Sequence, residues 1–129
     1  MGLSDIIGRW LRGGEKLANA PREAVDVAAA RLAVSTAEEM VVVVIDTRTL
    51  NALQATLARG QAAAVYGDGT TAYFVPVHRP ELPVRDPKAG WAIPVDEAVR
   101  GGIVKLGGTP QAVEISDQLG LVIEEPPRP

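Results

Sequence analysis

Leu3, Ile6, Ile7, Trp10 and Leu11 recur at helical spacing behind Ser4, a residue suited to an N-cap, so residues 5–12 read as an amphipathic helix. Gly13–Gly14 is expected to break it. Pro21 suits the first turn of a second helix, with Glu23 and Asp26 favoured near its positive end. Val25, Ala28, Ala29 and Leu32 on one side and Val27, Ala30 and Val34 on the other carry that helix to about Glu39, with only a narrow polar stripe at Glu23, Arg31 and Ser35.

The pattern then changes. Val41–Val42–Val43–Val44–Ile45 is β-branched throughout and reads as a central strand covered on both faces. Asp46, Thr47 or Thr49 can cap a following helix in which Leu50, Leu53 and Leu57 form a stripe, and Gly60 falls where a left-handed C-terminal residue is expected. Ala62–Tyr66 and Thr71–Val75 flank Gly67–Asp68–Gly69–Thr70, whose Asp-Gly pair predicts a tight hairpin with positive φ.

Pro76, Pro80, Pro83 and Pro87 remove backbone donors at short intervals, which predicts an extended, irregular arm over residues 76–90. Pro94–Arg100 reads as a short helix closed by Gly101–Gly102. Ile103–Leu106, Ala112–Ser116 and Leu121–Glu125 read as three strands of an antiparallel meander, in which Val113 and Ile115 alternate with Glu114 and Ser116. No fixed-period repeat or heptad array is visible along the chain.

The expected fold is therefore α+β: two N-terminal helices, a β-α-β-β unit, and a C-terminal short helix plus an antiparallel β-meander. Residues 1–20 are expected to form a helical arm, 21–125 a single domain and 126–129 a flexible tail. A chain of 129 residues, 47% apolar and 22% charged, has the size and composition of one ordinary globular domain.

Composition removes several chemistries. The absence of cysteine excludes disulfides, thiolate metal sites, iron–sulfur clusters and a cysteine nucleophile. His78 is the single histidine, so one subunit can form neither a His–His metal pair nor a histidine dyad. Ser4, Ser35 and Ser116 stand outside any G-x-S-x-G elbow. The glycine pairs match neither phosphate-binding fingerprint and read as turns. No apolar run reaches the roughly 20 residues that cross a bilayer. The first residues show no secretion signal, and a cytoplasmic location is expected.

Two groups could still do chemistry. Asp46 follows the central strand, where open α/β sheets gather ligand-binding groups, but helix capping explains it more simply. His78 could act as a general base beside Asp86 or Asp96, against the plainer reading of a surface imidazole. Glu38–Glu39 and Glu124–Glu125 read as solvated ends.

Excess apolar surface and scarce catalytic groups favour a non-catalytic protein-interaction or assembly module, homo-oligomeric or bound to another protein, without metal or cofactor. Its expected contacts are Ile6, Ile7, Trp10 and Leu11 on the first helix, with the two-sided second helix and the proline-rich arm. Arg9, Arg12 and Lys16 beside that first apolar face leave membrane-surface contact as a weaker reading. The alternative is a small regulatory domain that binds a ligand or nucleic acid through Arg79, Arg85, Lys88 and Arg100, although a net charge of −3 and interleaved acids oppose it. An enzyme acting through Asp46 or His78 is the third class.

Overall fold

The computed structural model describes residues 24–86 and 90–126. The chain is mostly β, with nine strands in two sheets and two helices among these residues. The helix expected at residues 5–12 lies outside them.

The second expected helix is replaced by two strands, β1 (Ala24–Ala28) and β2 (Leu32–Ala37). Alanine favours a helix in isolation, yet Val25, Val27, Val34 and Thr36 suit a pleated surface, and both segments have partners to pair with. β1 lies parallel to a later strand, and β2 forms an antiparallel pair with β3 (Met40–Asp46). Glu38–Glu39 is the turn of that pair rather than a helix end, and Glu38 carries a φ of 58°.

β3 has the interior position expected for it. Val41, Val43 and Ile45 are buried, while Val42 and Val44 on the other face are half-buried. Asp46 then caps α1 (Thr47–Ala58), whose Leu50, Leu53 and Leu57 enter the core as the stripe predicted. Each such side chain contributes about 1.5–3 kcal/mol by leaving water. Gly60 ends the helix in the left-handed region at φ 74°, its amide bonded to the Leu57 carbonyl.

The Asp-Gly hairpin also forms as expected. β4 (Ala62–Gly67) and β5 (Thr70–Pro76) are joined by Asp68 and Gly69, at φ 49° and 76°.

Beyond it the sequence reading needs correction. The arm is irregular only to Pro83, after which come β6 (Val84–Asp86) and β7 (Gly90–Val95). Pro94 belongs to β7 rather than to a helix start, and β5 pairs with β7 in parallel. The β6 ladder ends at Val84–Ala92, so Pro94 sits where β7 has become an edge and a missing donor is tolerated.

α2 (Glu97–Val104) runs through Gly101–Gly102, which do not stop it. A Cβ on Gly102 would stand 3.2 Å from Ile115 Cγ2, so this glycine brings the helix close to the strand beneath it. Ile103 is therefore a helix residue buried in the core, and the three-strand meander reduces to one hairpin, β8 (Gln111–Ser116) and β9 (Leu119–Glu124).

The sheets run β1-β4-β5-β7-β6 and β2-β3-β9-β8. Their topology contains a repeat that was not visible as a sequence period. β2-β3-α1-β4-β5 and β6-β7-α2-β8-β9 are the same unit: an antiparallel pair, a helix and a hairpin. The first pair of each unit joins the hairpin of the other through a parallel contact, β3 with β9 and β5 with β7. The core lies between these exchanged halves, around Phe74, Ile93, Leu121 and Ile123. β1 is the single strand among the described residues that has no counterpart. It covers the outer edge of β4, whereas the equivalent edge of β8 pairs with no described strand.

Candidate functional site: two equivalent corners, one closed and one open

Each unit has a corner where its first long strand passes into its helix through a capping aspartate and meets the turn of its own hairpin. Asp46 and Asp68 mark the first corner, and Asp96 and Asp117 the second.

The first corner is closed. Asp46 is only 1% exposed. Its carboxylate accepts hydrogen bonds from the Thr49 hydroxyl, the Thr49 amide at 3.2 Å and the Arg31 amide at 3.1 Å. Burial by itself would raise this carboxyl, but those hydrogen bonds, the hydroxyl's foremost, outweigh it and hold the group below its ordinary value of 3.8. Asp68 accepts the Leu32 amide at 3.0 Å. The Arg31 guanidinium reaches Glu124 Oε1 at 3.3 Å and Asp68 Oδ2 at 3.9 Å. The segment that supplies these donors is the link Ala29–Arg31 after β1. It packs so closely on the hairpin that a Cβ on Gly67 would lie 2.6 Å from the Ala29 carbonyl oxygen. Asp46 is thus committed to structure, as the capping reading expected.

Among the described residues the second corner lacks that cover. Asp96 Oδ1 accepts the Val99 amide at 2.8 Å as the cap of α2. Pro80, in the approach to β6, borders this corner together with Asp96. Proline has neither an amide hydrogen nor a guanidinium to offer. Ser116 stands where Gly67 stands in the first unit, and its hydroxyl accepts the Gln118 amide at 3.2 Å. A groove of about 250 Å³ opens between the proline arm, the start of α2 and the β8–β9 turn. Pro80, Pro83, Ile93 and Val99 give it apolar walls, while Glu81, Asp96 and Asp117 give it negative charge. Gln118 Oε1 is buried beside it and accepts no hydrogen bond from the described residues.

Two other depressions hold residues the sequence singled out. His78 lies with Asp96, Glu97 and Arg100 in a groove of about 400 Å³ on the other side of the α2 start. Of the two acids considered for His78, Asp96 shares its groove, whereas Asp86 lines a polar cleft of about 680 Å³ with Arg85, Trp91, Ser35 and Thr70. Arg85, opposite Trp91 in the β6–β7 ladder, lines that polar cleft, whereas Arg100, in α2, lines the groove of His78. Arg79 is exposed on the arm. Lys88, Ile6, Ile7, Trp10 and Leu11 lie outside the described residues.

Other chemistry is thin. The Tyr73 phenol is pushed above 10.0 by burial and then by the charge of Asp26, so it stays protonated at neutral pH. Among the described residues no group of three His, Cys, Asp or Glu could hold a metal ion. No helix among them is long and apolar enough to cross a membrane.

Residue-by-residue reading of the sequence missed the open corner. The available signal was the recurrence of a strand ending in Asp and, after nearly equal lengths of chain, a hairpin turn containing Asp: Asp46 and Asp68, then Asp96 and Asp117. In comparisons with known proteins, no family model matches this chain, and no curated protein matches it.

Proposed function

We propose that this chain is a non-catalytic protein-interaction module that receives an extended segment of a partner protein along the outer edge of β8. The observation that carries the reading is the asymmetry of the repeat. The edge of β4 is covered by β1, and the equivalent edge of β8 pairs with no described strand. An unpaired edge presents alternate N–H and C=O groups, which take an added strand readily. Val113 and Ile115 are half-buried against the core and keep β8 in place, while Ala112 and Glu114 are exposed.

Selection of random peptides on the intact chain tests this reading. Peptides that enrich should lose binding when alternate backbone amides are N-methylated, because strand addition depends on those donors. Failure to enrich any peptide, or indifference to N-methylation, would overturn it. Self-association through the same edge is the rival outcome, visible as a defined oligomer by light scattering.

A further inference from the structure

Resting on that reading, we infer that the segment accepted by β8 is basic: it runs parallel to β8 and carries an arginine that seats in the groove between Asp96 and Asp117.

The argument is that the chain carries the occupied form of this site within itself. β1 runs parallel to β4, with Ala24 opposite Ala62 and Ala28 opposite Tyr66. The ladder continues as the Ala29 amide bonds to the Tyr66 carbonyl at 2.8 Å. Three residues beyond Ala28 the chain reaches Arg31, whose amide serves Asp46 and whose guanidinium lies against Asp68 and Glu124. The Arg31 amide and guanidinium come from the link between β1 and β2, and the Leu32 amide from the first residue of β2.

The second unit repeats two of these acceptors, with Val77 where Glu124 stands in the first. Asp96 corresponds to Asp46 as the helix cap, and Asp117 corresponds to Asp68 in the hairpin turn. Lining this groove in the approach to β6 is Pro80, which cannot donate. Among the described residues nothing donates a hydrogen bond to the Asp117 carboxylate, and Gln118 Oε1 is buried without a partner. A complementary occupant must bring N–H groups and positive charge together with enough apolar surface to lie against Pro83, Ile93 and Val99. Arginine supplies a planar array of donors on an aliphatic stem, and the peptide backbone before it supplies the amides.

The carboxylates do not converge as metal ligands would among the described residues. Phosphate-bearing partners are opposed by the same charges. An arginine-bearing strand brings donors to Asp96 and Asp117, and the template sets its register, with the arginine three residues after the last paired position.

Peptides enriched on the intact chain provide the test. They are expected to carry arginine C-terminal to the strand-forming residues. Replacing that arginine by citrulline, which keeps the shape and removes the charge, is expected to weaken binding about tenfold. Asp117→Asn and Glu81→Gln should each weaken the arginine peptide and leave the citrulline peptide nearly unchanged, with the difference shrinking at high salt. If enriched peptides are neutral or acidic, or if citrulline binds as tightly as arginine while N-methylation still abolishes binding, the basic-partner inference fails and the interaction reading stands. If no peptide enriches, both fail. The citrulline comparison is made on the unaltered chain, so it decides the matter even if a substituted protein folds poorly.

Discussion

Asp46 and Asp96 occupy the same place in two copies of one unit, yet their surroundings differ. Asp46 is sealed beneath a segment that gives it a backbone amide, whereas Asp96 caps its helix at the rim of a groove. The difference lies in what crosses each corner. Arg31 and its link close the first, and the proline arm, with Pro80 at the groove, borders the second. A duplicated unit can therefore spend one copy of a corner on stability and leave the other available for recognition.

The largest expected effect breaks the comparison at its acids. Asp46→Ala should cost about 3 kcal/mol, because it removes the helix cap and leaves the Arg31 amide without its buried acceptor. Asp96→Ala should cost about 1 kcal/mol, the loss of a cap near solvent. Urea unfolding of both variants measures the gap, and equal losses would remove the distinction between a closed and an open corner.

Acid sharpens the same contrast. The Asp46 carboxyl has a lower pKa in the folded chain than its ordinary 3.8, so its contribution is complete above 3.8 and is lost as pH falls through the lower folded value. Asp46→Asn should remove that part of the acid sensitivity. Its stability difference from the parent chain should then narrow on acidification below 3.8, as followed by thermal unfolding at a series of pH values.

The helices offer a smaller comparison. Gly101 has open space where a Cβ would go, whereas Gly102 faces Ile115. Gly101→Ala should stabilise the chain by about 0.5–1 kcal/mol through helix propensity. Gly102→Ala should gain less or lose stability, since Ile115 must yield. Opposite or unequal shifts in melting temperature would confirm that α2 is held close to β8.

Arg31→Ala should have the smallest effect, about 0.5 kcal/mol, because both ion pairs are substantially exposed and the Arg31 backbone amide remains in place. A much larger loss in chemical denaturation would mean that the guanidinium, rather than the backbone of the link, closes the first corner.

Local chemistry was legible wherever one element decided its own form. The Asp68–Gly69 turn, the cap at Asp46, the leucine stripe of α1 and the left-handed Gly60 all follow from side-chain size, backbone freedom and short-range hydrogen bonding. The segment from Ala24 to Ala37 did not. Its alanines fit a helix by propensity, and only pairing with β4 and β3 made it extended. Trp91–Val95 was hidden by Pro94, whose missing donor is harmless because β6 has already ended. Gly101–Gly102 looked like a stop because the close packing of Gly102 against β8 is a long-range contact.

The candidate site was less legible still. Asp96, Asp117 and Gln118 come from the end of a strand and from a distant hairpin turn, and neither segment carries a motif. By itself the sequence determined a cysteine-free chain with an amphipathic α1, a tight Asp-Gly hairpin and a β-branched β3, because those features depend on composition and neighbouring residues. Only the tertiary structure decided that the chain is mostly β, that two equivalent units exchange their hairpins, and that one of two like corners is covered. These depend on which distant strands pair, and pairing energy is realised only when the partners meet.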